Sequence, residues 1–122
     1  MDYDGTMTVQ DSWPDHGEIR DGMVNLWKDL EKDGNVVILW TNRENKHLET
    51  ALNYLATFGI FPKYINENPP CLQEKYGNDP RKLGADIFID DKTIGFSPDS
   101  NILRTELYRK GFLSFERLWE SK

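Results

Sequence analysis

Cysteine is nearly absent: Cys71 is the only one in 122 residues. No intrachain disulfide can form, and no thiolate metal cluster can assemble within one chain. Long apolar runs are missing too. None approaches the roughly 20 residues that cross a bilayer, and Met1-Asp2-Tyr3-Asp4 lacks the basic start and apolar stretch of a signal peptide. The cytoplasm is the expected location, with no membrane partner. Positive charge is in deficit, with 15 Lys and Arg against 21 Asp and Glu and a net charge of -6. That balance argues against broad attraction to nucleic acid or anionic membrane, although a local basic patch can still hold a phosphate. Neither an internal repeat nor a low-complexity tract is present.

What remains is an ordinary globular composition, 38% hydrophobic and 30% charged, of a length that suits a single domain over residues 1–122. Met23, Leu26, Trp27 and Leu30 recur at helical spacing and predict a helix from Gly22 to Glu31, with Asp21 as its cap and Asp33-Gly34 as its stop. Val36-Val37-Ile38-Leu39-Trp40 is an unbroken apolar run with three β-branched members and predicts a central strand covered on both faces. Thr41 or Asn42 would cap a second helix that carries Leu48, Ala51, Leu52, Leu55 and Phe58 and ends at Gly59. A short strand is expected within Ile60 to Ile65, only short helical pieces between Leu72 and Leu83, and another strand over Asp86 to Asp91. Two further helices, around Leu107 and around Phe115 to Trp119, would cover apolar surface. Alternating helices and strands predict a three-layer α/β domain with a mostly parallel sheet.

Chemistry concentrates at one predicted edge of that sheet. Asp2-Tyr3-Asp4-Gly5-Thr6 sets two carboxylates one residue apart, then a glycine and a hydroxyl; Thr41 ends the central strand, Lys82 precedes the last one, and Asp90-Asp91 ends it. Each has a plain structural reading: a turn, a helix cap, a surface charge, another turn. Taken together they fill every role of a phosphate-transfer site. Asp2 would attack phosphorus, Asp4 would protonate the leaving oxygen and then deprotonate water, and Thr41 would donate to a phosphoryl oxygen. Lys82 would neutralise charge that builds in the transition state. Asp2, the backbone carbonyl of Asp4 and Asp90 form an oxygen set for Mg2+, with Asp91 as a second ligand, directly or through water. His16, in the loop from Asp11 to Glu18, is a weaker candidate for substrate contact.

With these motifs in this order the chain resembles the haloacid dehalogenase-like hydrolases. The matching segments are Asp2-Tyr3-Asp4-Gly5-Thr6, Leu39-Trp40-Thr41-Asn42-Arg43, Lys82 within Arg81-Lys82-Leu83-Gly84-Ala85-Asp86, and Ile87-Phe88-Ile89-Asp90-Asp91. The resemblance implies a Rossmann-like core without a large cap, a Mg2+ cofactor and phosphomonoester hydrolysis through an aspartyl phosphate. It implies Asp2 as nucleophile, Asp4 as acid and base, Thr41 as phosphate ligand, Lys82 as the stabilising lysine and Asp90 as metal ligand. Small capless members have open sites, and often take bulky substrates or oligomerise to cover the pocket. The expected substrate is a phosphorylated small molecule or a terminal phosphate on nucleic acid, with Arg43 a further phosphate contact.

One departure concerns the first strand. The family's first motif follows an apolar strand of about five residues, whereas only Met1 precedes Asp2 here. An upstream segment, a strand supplied from elsewhere, or a truncated and inactive member would each account for it. Two other functions remain open: a non-catalytic interaction protein on the same fold, and a receiver-like phospho-acceptor domain. The second fits less well, because a receiver carries its acceptor aspartate at the end of a middle strand, where Trp40-Thr41 stands in this chain.

Overall fold

Met23, Leu26, Trp27 and Leu30 form the buried stripe of the first helix, α1 (Met23–Lys32). The computed structural model describes residues 1–9, 15, 17–79 and 83–119. Gly22, at φ 79°, makes the turn into α1, and no side chain caps its N-terminus, so Asp21 does not have the capping role its sequence position suggests. At the other end Asp33 N donates to Asp29 O, and Gly34 takes φ 86°, the left-handed conformation that stops a helix.

A two-stranded parallel sheet follows. In it β1 (Ile38–Leu39) pairs with β2 (Tyr64–Ile65), Ile38 opposite Tyr64 and Leu39 opposite Ile65. The crossover between them is α2 (Asn45–Ala56), which buries Ala51 and Leu55. Thr41 and Asn42 do not cap this helix: the Thr41 hydroxyl accepts from Arg43 N at 3.0 Å and Asn66 holds the Thr41 backbone, so the chain turns into the helix only after Glu44. Next comes α3 (Pro70–Tyr76), with proline at its first position, where a missing N–H costs nothing. It is a single continuous helix up to Gly77. Last is α4 (Ser100–Arg109), capped by the Asp99 carboxylate, which accepts from Asn101 N at 2.8 Å.

The fold is mixed α/β with parallel pairing, but among the described residues the broad three-layer sheet expected from the sequence is reduced to two strands. Met1 and Asp2 run parallel to β1 on its free side: Met1 N donates to Ile38 O at 2.9 Å, and Trp40 N donates to Met1 O at 2.8 Å. On their other side Asp2 N donates to Ile89 O at 2.8 Å. The expected strand over Asp86 to Asp91 is extended chain without strand pairing among the described residues. Val36, expected to be covered, is 60% exposed. Among the described residues no helix is long and apolar enough to cross a membrane.

The core lies between the sheet and α1, with Tyr3, Met7, Trp27, Leu39 and Leu55 wholly or almost wholly buried. Helices α1 and α4 pack together, and their contact contains charge. Arg104 is fully buried; its Nη1 donates to Asp29 at 2.9 Å and to Arg117 O at 2.8 Å, while its Nε and Nη2 have no partner among the described residues. Arg117 also bonds Asp29 and Asp33, tying the turn Phe115–Arg117 to the end of α1. Asp29 is therefore the counter-ion of a buried guanidinium. Asp29→Ala is expected to lower stability by about 3–5 kcal/mol, measured as the free energy of urea unfolding. A loss below about 1 kcal/mol, the range of an exposed pair, would show that the pair is not effectively buried. The expected second C-terminal helix is only that short turn, and its aromatics are not covered: Phe115 and Trp119 are exposed and meet edge to face, with Tyr108 on the far side of Phe115.

Candidate functional site

The segment Tyr3–Met7 makes one wide irregular turn, with Asp4 extended and Gly5 left-handed at φ 85°. Arg20 fixes the turn from outside, donating to Gly5 O at 2.8 Å and to Thr6 O at 3.0 Å. A short antiparallel contact, with Thr8 opposite Ile19, holds Arg20 in reach. At one end of this turn Asp2 emerges beside Ile89, and the chain after Ile89 delivers Asp90 and Asp91 to the same place. One carboxylate oxygen from each of Asp2, Asp90 and Asp91 lies within 4.8 Å of the other two, and all three residues are half-buried.

Thr6 sits inside this cluster. Its Oγ1 lies 3.0 Å from Asp2 Oδ2 and 3.3 Å from Asp91 Oδ1, and accepts from Asp91 N at 2.8 Å. Its single hydroxyl proton is shared between two carboxylates. Gly5 is required by the same packing, because a Cβ there would fall 2.5 Å from Asp91 Oδ2. Burial above all, then a side-chain hydrogen bond with Asp91 and the charge of Asp90, pushes the Asp2 carboxyl from 3.8 up to about 7, with the Thr6 hydroxyl acting in the opposite direction.

The sign of the resulting pH dependence is definite. Between 3.8 and about 7 the folded protein keeps a proton on Asp2 that the unfolded chain has released, so this group's contribution to stability falls as pH rises through that window. In EDTA, the difference in melting temperature between Asp2→Asn and the wild type is expected to widen in the variant's favour from pH 4.5 to pH 7.5. A constant difference would show that Asp2 titrates in its ordinary range.

Asp4 points elsewhere. Both its oxygens are held by Arg43, with Nε to Oδ2 and Nη2 to Oδ1 each at 2.7 Å. Arg43 is 1% exposed; it also donates to the carbonyls of Asp15 and His47, and its guanidinium lies 5.3 Å from the centre of the Tyr3 ring. The arginine expected to meet a substrate phosphate instead engages the second aspartate of the motif. Thr41 stands at the end of β1 as expected. Asn66, at φ 53°, clamps it by accepting from Thr41 N at 2.8 Å and donating to Thr41 O at 2.6 Å. The Thr41 backbone N–H is thus occupied, while its hydroxyl, accepting from Arg43 N, retains its own hydrogen for donation.

The structure thus brings together Asp2, Asp90 and Asp91, and sets Asp4 and Thr41 on either side of Arg43. Lys82 and His16 lie outside the described residues. Sequence reading passed over Asn66, whose signal was only an Asn-Glu-Asn-Pro-Pro loop, and gave Thr6 no more than a role in orienting the turn.

No family model and no curated protein matches this chain. Its structure is similar to that of a conserved protein coded by a locus from Bacteroides thetaiotaomicron, at 30% sequence identity and a TM-score of 0.76, with 98% of this chain and 94% of that one covered.

Proposed function

We propose that this chain, which belongs to the same family as that conserved Bacteroides protein, is a Mg2+-dependent phosphomonoester hydrolase with a capless Rossmann-like core of the haloacid dehalogenase type. The parallel run of β2, β1 and Met1–Asp2, with Asp2 bonded to Ile89 on its other side, supports the core. The observation that carries the function is the meeting of Asp2 with Asp90 and Asp91. These are hard oxygen donors short of positive charge, and burial above all, then the neighbouring aspartates, favours a proton on Asp2. The donor set and the charge deficit both suit Mg2+. When bound, Mg2+ would offset the repulsion between a carboxylate nucleophile and an anionic ester.

The chain's own residues account for the other roles. A deprotonated Asp2 oxygen attacks phosphorus, the P–O bond to the leaving group breaks, and the leaving oxygen takes a proton from Asp4. Water then attacks the aspartyl phosphate, gives a proton to Asp4, and the bond from phosphorus to Asp2 breaks. Thr41 donates its hydroxyl hydrogen to a phosphoryl oxygen, and Lys82 is assigned the charge that builds there. Because Arg43 occupies both Asp4 oxygens, the proton transfers require release of at least one of those bonds when substrate enters. Substrates are phosphorylated small molecules or a terminal nucleic-acid phosphate, hydrolysed in the cytoplasm.

The test is phosphate release from sugar phosphates, nucleotides and end-phosphorylated oligonucleotides, in Mg2+ and in EDTA. Release in Mg2+ that EDTA abolishes is expected for at least one class; none from folded protein on any of them would overturn the proposal. The Arg43–Asp4 pair also favours a second reading, a non-catalytic interaction protein in which the pair is a permanent strut. Failure of Mg2+ to raise the melting temperature would favour that reading.

A further inference from the structure

The register of the sheet fixes what β2 ought to offer Thr41. In a parallel ladder every second residue bonds the same neighbour, giving its N–H to one residue there and its C=O to the residue two further along. Asn66 N donates to Leu39 O at 2.9 Å, so the next rung would send Thr41 N to Asn66 O and bring Asn68 N to Thr41 O. Neither bond forms. Thr41 N goes to the Asn66 side-chain Oδ1 at 2.8 Å, Thr41 O accepts from Asn66 Nδ2 at 2.6 Å, and Asn68 N goes to Asp79 Oδ1 at 3.1 Å. The carboxamide of Asn66 thus stands in for a peptide unit, completing the rung for Thr41 after the main chain of β2 has turned away. Asn66 takes φ 53°, a left-handed conformation that asparagine tolerates better than most residues with a Cβ. Beyond it Asn68 is fully buried: its Nδ2 bonds Asp79 Oδ1 at 2.9 Å, its Oδ1 accepts from Gly84 N at 2.7 Å, and its carbonyl accepts from Gln73 Nε2 at 2.6 Å. The clamp lies at the surface, yet it is anchored behind by Leu39 and ahead by Asn68.

We propose that Asn66 is a positioning residue of the phosphate site: it acts through Thr41, fixing the backbone that aims the Thr41 hydroxyl at a phosphoryl oxygen. The inference rests on the phosphatase reading and adds to it a residue outside all four motif segments. Thr41 stands one residue past the rung that pairs Trp40 with Asp2. Its N–H and C=O are both taken by Asn66, and its hydroxyl oxygen accepts from Arg43 N at 3.0 Å. The hydroxyl hydrogen is what it has left to give. A plain strand end gives no reason for such a device, since water satisfies exposed backbone groups at little cost. A donor whose misplacement by about 1 Å costs about a hundredfold in rate does.

The probe is inorganic phosphate, titrated into the 122-residue protein in saturating Mg2+ and followed by calorimetry. Asn66→Gly removes the clamp and suits the left-handed backbone. It is expected to weaken phosphate binding about tenfold, with the melting temperature within about 3 °C of the wild type. In a Thr41→Val background, which lacks the hydroxyl, the same substitution is expected to change affinity less than about twofold. Wild-type affinity in Asn66→Gly would overturn the proposal and leave the phosphatase reading standing. An undiminished loss in the Thr41→Val background would overturn it too, by showing that Asn66 does not work through the Thr41 hydroxyl. A wild-type protein that takes up Mg2+ and binds no phosphate would end both readings, because Thr41 would then have no anion to serve.

Discussion

Asp2→Asn is expected to reduce phosphate release by at least about ten-thousand-fold, the scale of losing a covalent nucleophile, while the protein remains folded. Asparagine keeps the size of the side chain and an oxygen to accept from Thr6, so the contacts around Asp91 survive. It removes the negative charge that must attack phosphorus. It also removes a carboxyl that burial and two neighbouring aspartates disfavour in its charged form, so stability at pH 7.5 without metal is expected to hold or rise. Lost activity together with preserved or increased stability separates a chemical role from a structural one. Burst and steady-state assays on the best substrate provide the measurement. More than a tenth of wild-type activity remaining would exclude Asp2 as nucleophile, and a collapse in stability would assign the residue to the fold.

Arg43 provides the second large effect. Its guanidinium forms a two-point fork on Asp4 at 2.7 Å, inside a shell of carbonyls and over the Tyr3 ring. Lysine keeps the charge and loses the fork. Arg43→Lys is therefore expected to lower kcat by about a hundredfold with little change in KM, through misplacement of Asp4. Arg43→Ala, which leaves a carboxylate and two carbonyls without their donor, is expected to lose about 3–5 kcal/mol of stability. The informative comparison is a double-mutant cycle. If Arg43 acts through Asp4, adding Arg43→Lys to Asp4→Asn costs almost nothing further in kcat. Full additivity of the two losses would show that the arginine works on the substrate directly.

The acidic cluster was legible because strand C-terminal ends share one edge of a parallel sheet: Asp90-Asp91 ends an apolar run, and Asp2 opens a motif that in the resembled family follows a strand. Helix α1 was legible from its stripe and its Asp33-Gly34 stop. The site's internal pairing was not. A basic residue just after a strand reads equally well as a phosphate ligand, and nothing in Trp40-Thr41-Asn42-Arg43 signals that its partner is Asp4. Asn66 reads as loop punctuation, because its two bonds to Thr41 depend on a left-handed backbone reached only after β2 has paired. The apolar run Val36 to Trp40 promised a strand covered on both sides, but coverage is decided by the neighbour, and among the described residues Val36 is left 60% exposed. The segment before Asp90 is likewise extended without being a strand.

The contact between Gly5 and Asp91 also constrains how this chain can change over time. The space a side chain would need at position 5 is already held by a carboxylate from the far end of the sequence. Position 5 cannot gain a side chain while Asp91 stays in place: a Cβ there needs the Asp91 carboxylate to turn away or to be lost, and its loss removes an acid from the cluster. Relatives with a side chain at position 5 should therefore carry a displaced or smaller residue at 91, and a site with its acids rearranged or fewer.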